Sequence, residues 1–225
     1  MTTSGTAAFS MDFSDICEEA HERAGVEVKN GYDVRTARRS LNLLTIEWAN
    51  RQVNLWTIES VVLPLTAATA TYTLPADTVD LLDVIIRTGA GTTQNDFAIK
   101  RTPLDQYAAI PNKGSPGRPV QFMMDRQITP TLTVWPVPAD TSYTLIYWRM
   151  RRIQDTGPSG QTTMDVPFRF IPALVAGLAY YIAMKKPELI DRVQMLKAMY
   201  DEAFQFAIEE DRDRSSLYLR PYIGR

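Results

Sequence analysis

The amino-acid sequence predicts an α+β protein with a bundle of about four helices, an inserted antiparallel β-rich domain and an extended C-terminal arm. Helical periodicity occurs near both ends of the chain, β-branched and aromatic runs between turn residues fill the middle, and the last segment has no periodic pattern. The predicted boundaries are 1–55 for an N-terminal helical hairpin, 56–152 for the β domain, 153–214 for the C-terminal helices and 215–225 for the arm.

The first predicted helix has a start signal, an apolar period and a stop signal. Asp12 is placed to cap it, and Gly25 is placed to end it. Between them Phe13, Ile16 and Ala20 recur at steps of three and four residues, which is typical of one buried helix face.

A longer helix is predicted after a turn at Asn30-Gly31, with Asp33 as its cap. Its apolar positions are Val34, Ala37, Leu41, Leu44 and Trp48. We expect the two helices to form an antiparallel hairpin, since each has one apolar face to bury.

The middle of the chain predicts strands. They are expected at Ile58–Leu65, Thr71–Leu74, Val79–Arg87, Asp96–Arg101, Val120–Met124, Thr131–Trp135 and Tyr143–Arg151. Both faces of the last strand are largely apolar, so it is expected to be covered on both sides. A short helix is predicted at Pro103–Ala109.

Helical periodicity returns after a polar connector at Ile153–Thr163. Asp165 is predicted to cap a helix that runs to Lys186, with a break or kink at Pro172. Pro187 is predicted to open a second long helix. The apolar seam of that helix is Leu189, Val193, Leu196, Tyr200, Ala203 and Ala207.

Composition limits the possible partners. The chain has 24 basic and 26 acidic residues, so its net charge of −2 lacks the basic excess of a protein that binds the phosphate backbone. The single Cys17 excludes an internal disulfide. Met1–Ser10 has no leader pattern and Phe170–Met184 is too short for a bilayer span, so we expect a soluble protein made in the cytoplasm, without membrane contact.

The candidate reactive groups are few. Cys17 and His21 are four residues apart and would share a helix face, as half of a metal site or as a nucleophilic pair. A packed thiol beside an ordinary surface histidine is the favoured alternative, because the chain offers no second histidine or cysteine. The sequence predicts neither a metal nor a cofactor.

Three other polar segments only superficially match binding motifs. Asn112–Pro119 lacks the residue order of a phosphate-binding loop and contains prolines, which favours a simple loop. Asp77, Asp80 and Asp83 lack calcium-loop spacing and are expected to be polar positions at a strand edge. The charged run Glu209–Arg214 is expected to be a solvated helix end.

Two sets of residues are candidates for binding other proteins. The first lies in the arm and consists of Leu217, Tyr218, Leu219, Arg220, Tyr222, Ile223 and Arg225. The alternative is that this tail folds back on its own helices. The second set is Arg35, Arg38 and Arg39, as a possible lateral interface. The alternative there is internal pairing with the acids of the first helix.

The order of several motifs resembles the head-to-tail adaptor proteins of short-tailed phages, also called tail tubular or head completion proteins. The segments that carry the resemblance are Arg38–Asn42 with Glu47-Trp48, Tyr72–Asp77 before Leu81–Val84, Gly117–Pro119, Leu132–Pro138 before Tyr143–Trp148, Asp165–Pro167 before Ala173–Ala183, and Tyr200–Asp211. The resemblance implies a non-enzymatic virion protein at the head-tail interface, assembled in the host cytoplasm.

The resemblance to that family also implies the binding partners of this protein. It implies a ring of about twelve copies below the portal protein, with the β domain toward a tail nozzle or tail tube protein and the C-terminal segment on the portal. Viral DNA would pass without specific recognition.

Two other functions stay open. One is a tail-associated hydrolase. The other is a nucleic-acid-binding module that uses Arg149, Arg151 and Arg152 with Tyr147 and Trp148.

Overall fold

The computed structural model describes residues 5–6, 9–51, 55–157 and 162–211. The chain divides into two compact units, a helical unit from 1–53 and 154–225 and a β unit from 54–153. The fold is mixed α+β, as predicted. The α-helices among the described residues are α1 (Phe13–Ala24), α2 (Gly31–Asn50), α3 (Leu104–Ala108), α4 (Ile171–Ala183) and α5 (Ile190–Glu210). The predicted arm at 215–225 lies outside the described residues.

α1 begins and ends at the predicted residues. The Asp12 carboxylate accepts a hydrogen bond from Asp15 N at 2.9 Å, and the Asp15 carboxylate accepts one from Asp12 N at 3.4 Å. These two bonds form a capping box. Gly25 ends the helix with φ of 84°, a left-handed conformation that favours glycine.

α2 begins earlier than predicted. The cap is Asn30, whose Oδ1 accepts hydrogen bonds from Tyr32 N at 2.9 Å and Asp33 N at 3.1 Å. The prediction that Asp33 caps the helix is wrong because Asn30 already satisfies the free N–H groups of the first turn. Tyr32 and Asp33 therefore belong to the helix.

α4 and α5 each follow one turn of 3-10 helix, at Phe168–Phe170 and Pro187–Leu189. The predicted cap at Asp165 is wrong, because its carboxylate instead accepts a hydrogen bond from Gln154 N at 3.0 Å. Pro172 lies in the first turn of α4, where its missing N–H removes no hydrogen bond, so it starts the helix and does not kink it.

The helical unit buries the facing sides of its four long helices. Its largest fully buried side chains are Phe13, Ile16, Leu41, Leu44, Trp48, Phe170 and Leu174. Of the predicted α5 seam, Val193 and Ala203 are only half-buried. Phe204, which lies outside that seam, is buried at 4% exposure.

α2, α4 and α5 pack closely at Gly177. A Cβ at this position would lie 2.7 Å from Leu44 Cδ2 and 3.0 Å from Tyr200 Cε2, so a larger residue would require these side chains to shift. Trp48 Nε1 donates a hydrogen bond to the Tyr200 hydroxyl at 2.9 Å. Burial raises the pKa of Tyr200 to about 12.

The β unit contains two four-stranded sheets. The strands are β1 (Ile58–Pro64), β2 (Thr71–Thr73), β3 (Thr78–Thr88), β4 (Asn95–Ala98), β5 (Lys100–Arg101), β6 (Pro116–Gly117), β7 (Gln121–Asp125), β8 (Thr131–Trp135), β9 (Val137–Pro138) and β10 (Thr144–Arg151). The sheet orders are β1-β10-β3-β4 and β2-β8-β7-β5, with a separate pair β6-β9.

The prediction of antiparallel pairing is confirmed for most strand pairs and wrong for two. β5 pairs with β7, and β6 pairs with β9, in parallel. Each of these pairs is separated by a long stretch of chain that allows a crossover, and the first crossover contains α3. The predicted strand Asp96–Arg101 divides into β4 and β5, which belong to different sheets. Ile99 lies at the division and is buried at 8% exposure.

β10 lies between β1 and β3. Leu145 and Tyr147 point into the core of the β unit. Ile146, on the opposite face, is 5% exposed. Both faces of this strand therefore carry buried side chains, as predicted.

Candidate functional site

The predicted binding residues of the arm cannot be placed. Leu217, Tyr218, Leu219, Arg220, Tyr222, Ile223 and Arg225 lie outside the described residues, which end at 211. Their role in binding stays a prediction.

The predicted lateral residues lie together on α2. Arg35 and Arg39 are exposed, Arg38 is half-buried, and all three line a cleft of 430 Å³ with Tyr32. The guanidinium carbon of Arg38 lies 5.3 Å from the centre of the Phe13 ring. The Arg38 Nε atom is buried and has no hydrogen-bond partner among the described residues.

The period of α2 explains this placement. Leu41, Leu44 and Trp48 lie on one face of the helix and have 0% exposure. At 3.6 residues per turn, Arg35 and Arg39 then fall on the opposite face. The inner side chains fix the helix, and the outer arginines are presented by a rigid backbone.

The internal pairing that was the alternative for these arginines is absent from the part of the chain that the structure describes. None of Arg35, Arg38 and Arg39 has a carboxylate within 4.0 Å there. On α1, Glu19 pairs instead with Arg23 at 2.7 Å. The three arginines thus keep their positive charge available.

Lys185 adds positive charge beside them. Its Nζ atom donates hydrogen bonds to Ser40 Oγ and, at 3.5 Å, to Thr36 O. Burial and the nearby Arg39 lower its pKa. Guanidinium groups form paired hydrogen bonds to carboxylates and phosphates, so this surface fits an anionic group.

Sequence reasoning missed the apolar residues on the same face. Leu43 and Ile46 are each 55% exposed, and Tyr32 is 62% exposed. The signal was the three and four residue spacing that continues from Arg35 and Arg39. This signal is hard to recognise in the sequence because Leu43 and Ile46 are adjacent to the buried residues Leu44 and Thr45.

The predicted reactive pair is internal. Cys17 is 2% exposed and His21 is also 2% exposed, so His21 is not the surface histidine that was expected. The His21 Nδ1 atom lies 2.7 Å from Cys17 O and 3.6 Å from Cys17 Sγ. Burial raises the pKa of Cys17 to about 11, which keeps the thiol protonated at neutral pH. This geometry does not provide an activated nucleophile.

Two of the three arginines proposed for nucleic-acid contact, Arg149 and Arg152, are held by contacts within the protein. Arg149 is 7% exposed, and it forms ion pairs with Glu59 and with Asp77, the latter at 2.5 Å. Arg152 donates a hydrogen bond to Ala76 O at 2.6 Å. These contacts hold both guanidinium groups within the β unit.

The other polar segments have structural roles. Asp77 pairs with Arg149, and Asp80 pairs with Arg101 at 2.8 Å and with Arg126. β4 pairs with β3 only over Ile85–Thr88, so among the described strands Asp80 and Asp83 lie on a part of β3 that has β10 alone as a neighbour. Asp77 directly precedes the strand, and this placement agrees with the expectation of polar positions at a strand edge. Asp211 pairs with Arg169, and its side chain is 4% exposed, so this part of the charged run is not solvated.

The described residues contain neither a metal-binding cluster nor a single membrane-spanning helix. Within them, no three His, Cys, Asp or Glu side chains lie close enough together to hold a metal ion. No single helix there is long and apolar enough to cross a membrane. The pair Phe168–Ala183 and Pro187–Glu210, bent by 118°, passes that test only by combined length and composition.

A comparison with curated proteins found no match. A family profile described as "SU10 adaptor protein" matches residues 11–222, which include both units. This match confirms the resemblance to phage head-to-tail adaptors. The chain therefore belongs to the SU10 adaptor protein family, whose members are structural proteins of the phage head-tail region.

Proposed function

We propose that this protein forms a ring of about twelve copies that joins the portal protein to the tail nozzle or tail tube protein. It assembles in the host cytoplasm, and viral DNA passes through the ring without specific recognition. The four long helices act as one bundle in this role, and the arm at 215–225 docks on the portal or on a neighbouring copy.

The single observation that carries this proposal is the family match across residues 11–222. A partial match would leave one unit unexplained, whereas this one includes the helices and the sheets together. Adaptors act by binding other proteins, and the candidate surface on α2 offers arginine and apolar side chains for such binding. The buried pair Cys17 and His21 on α1 does not supply an activated nucleophile.

The charge of the chain favours passage of DNA over retention. The net charge is −2, and Arg149 is neutralised by its carboxylate partners. Binding to the phosphate backbone requires many available cations. A ring built from this chain would therefore have weak affinity for DNA.

The docking role of the arm can be tested by removing residues 215–225. The truncated protein should stay folded, with a melting temperature within about 2 °C of the full chain, because the predicted core precedes the arm. Its co-sedimentation with the portal should fall at least about tenfold, since buried tyrosine and leucine side chains contribute several kcal/mol of binding.

The full chain is the control in the same assay, and it should co-sediment with the portal. Normal portal binding by a folded truncated protein would contradict the role of the arm. A lower melting temperature would instead indicate that the tail folds back on its own helices.

A further inference from the structure

The exposed face of α2 carries a continuous stripe of mixed character. We call Tyr32, Arg35, Arg39, Leu43 and Ile46 the outer stripe; they follow one another at steps of three and four residues. All five are exposed. Aromatic, arginine and aliphatic residues in one line are typical of a protein interface and atypical of a solvated helix face.

A second surface of the helical unit is concave. A groove of 210 Å³ lies along α5 beside α1 and α4, and its lining includes Arg23, Ala176, Met199, Glu202, Ala203 and Phe206. We call it the α5 groove. Met199 is 43% exposed and Phe206 is 63% exposed, so the groove presents apolar side chains beside Arg23 and Glu202.

The two surfaces carry opposite available charges. In the described chain, Glu202 has no ion pair or hydrogen-bonded side chain, while Arg23 in the same groove is neutralised by Glu19 at 2.7 Å. The groove therefore has a net negative group in Glu202. Arg35 and Arg39 of the outer stripe are positive and have no carboxylate partner among the described residues.

We propose that the outer stripe of one copy docks in the α5 groove of the next copy, with Arg39 against Glu202 and Leu43 and Ile46 against Met199 and Phe206. This inference rests on the proposed ring. A ridge of side chains on one helix fits a groove beside another helix, which is the usual mode of helix packing.

The two surfaces meet the requirement for a closed ring. A ring needs a head-to-tail contact in which each copy uses two different surfaces at once. The outer stripe and the α5 groove share no residue, so one copy can present both. A surface that paired with itself would give only a dimer.

A second copy accounts for the outer stripe better than a nucleic acid does. DNA phosphates would pair with Arg35 and Arg39, but they would leave Leu43 and Ile46 exposed. The α5 groove offers a carboxylate and an apolar surface together. Both halves of the outer stripe then have a partner.

The test is a titration of the full-length protein onto its portal, with the number of bound copies counted by single-particle mass measurement. The parent should bind cooperatively, because each bound copy supplies a surface for the next. Arg39→Glu should lose cooperativity and should require at least about tenfold more protein for half-saturation of the portal, because it places two carboxylates together. Glu202→Arg should have the same effect, because it places two cations together.

The double variant Arg39→Glu with Glu202→Arg restores opposite charges at the contact, so its cooperativity should return to near the parent value. Lys197→Glu is the matched control for Arg39→Glu. It also replaces a positive charge by a negative one, but at a position of α5 outside the groove. It should bind like the parent.

The outcomes separate this inference from the proposed function. A parent that does not bind the portal would overturn both. Cooperative binding by the parent and equally by Arg39→Glu would overturn only this contact. Loss of binding in Arg39→Glu without recovery in the double variant would also overturn it, and would place the portal or DNA on the outer stripe.

Discussion

The inner and outer faces of α2 differ in how their side chains are satisfied. On the inner face, Leu44 and Trp48 have 0% exposure, and the Trp48 Nε1 atom donates to the Tyr200 hydroxyl at 2.9 Å. On the outer face, Leu43 is 55% exposed, and Arg39 has no carboxylate partner among the described residues. Both faces are rich in groups that gain from contact.

This difference between the two faces indicates which residues of α2 stabilise the fold and which are available to bind a partner. A helix needs one apolar face to pack on its own unit. Apolar residues that are exposed on the second face do not stabilise the isolated chain, and a contiguous apolar patch is a liability in water unless a partner covers it. We therefore expect inner-face changes to alter folding and outer-face changes to alter assembly.

The largest expected effect comes from adjacent leucines on opposite faces. Leu44→Ala should lower the free energy of unfolding by about 2–5 kcal/mol, because it leaves a cavity in the core. Leu43→Ala should change it by less than about 0.5 kcal/mol, since that side chain is already exposed. Denaturant unfolding of both variants measures this. Equal losses would contradict the division of α2 into two faces.

A smaller effect is expected at the hydrogen bond of the inner face. Tyr200→Phe should cost about 1–3 kcal/mol, because the Trp48 N–H becomes a buried donor without an acceptor. Tyr180→Phe is the matched control; Tyr180 is half-buried and stacks on Tyr200, with ring centres 6.4 Å apart. Thermal unfolding should show a clear loss only for Tyr200→Phe, and the same loss in both variants would show that this bond adds nothing.

The packing at Gly177 should give a net loss of about 1 kcal/mol on replacement by alanine. Alanine gains about 1 kcal/mol of helix propensity, but overpacking against Leu44 and Tyr200 costs about 1–3 kcal/mol. Gly31→Ala is the control, because a Cβ there meets nothing within 4 Å. In a double-mutant cycle, Leu44→Ala should remove most of the loss at Gly177, and strict additivity would argue against this contact.

The smallest effect contrasts a paired arginine with an unpaired one. Hydrogen bonding to Arg149 lowers the pKa of Asp77 below its ordinary value of 3.8. A lowered carboxylate pKa contributes stability that is present above the unfolded pKa and lost as pH falls through the folded pKa. Below about pH 4, Arg149→Met should therefore lose stability less steeply with acid than the parent does.

Arg39→Met is the matched control for this pH dependence, since no described carboxylate pairs with Arg39. Its curve of unfolding free energy against pH should be parallel to that of the parent. If Arg149→Met also gave a parallel curve, the Arg149 pair would have no role in acid stability.

The local features of the fold could be predicted from the sequence. The cap at Asp12 and the left-handed end at Gly25 depend on neighbouring residues, and both were confirmed. Pro187 opens a 3-10 turn that leads into α5 at Ile190, so the predicted start of that helix is three residues early. The start of α2 was missed because Asn30 and Asp33 are both good caps, and the sequence does not rank them. The parallel pair β5–β7 was missed because it depends on chain crossover and not on residue type.

The candidate site was only partly predictable for the same physical reason. Arg35, Arg38 and Arg39 form a cluster that is visible in the sequence. That they have no carboxylate partner among the described residues could be recognised only once the helices were packed. The α5 groove combines residues of α1, α4 and α5 that are far apart along the chain. A concave surface of this kind has no local sequence signal.

The central claim is that this chain forms a ring on the portal, and electron microscopy of the full-length protein mixed with its portal tests it most directly. Two-dimensional and three-dimensional averages should show an added ring at the narrow end of the portal, with one copy for each of about twelve positions. Density for single, separate copies on the portal, or a portal that stays bare at saturating concentration of the protein, would contradict the account.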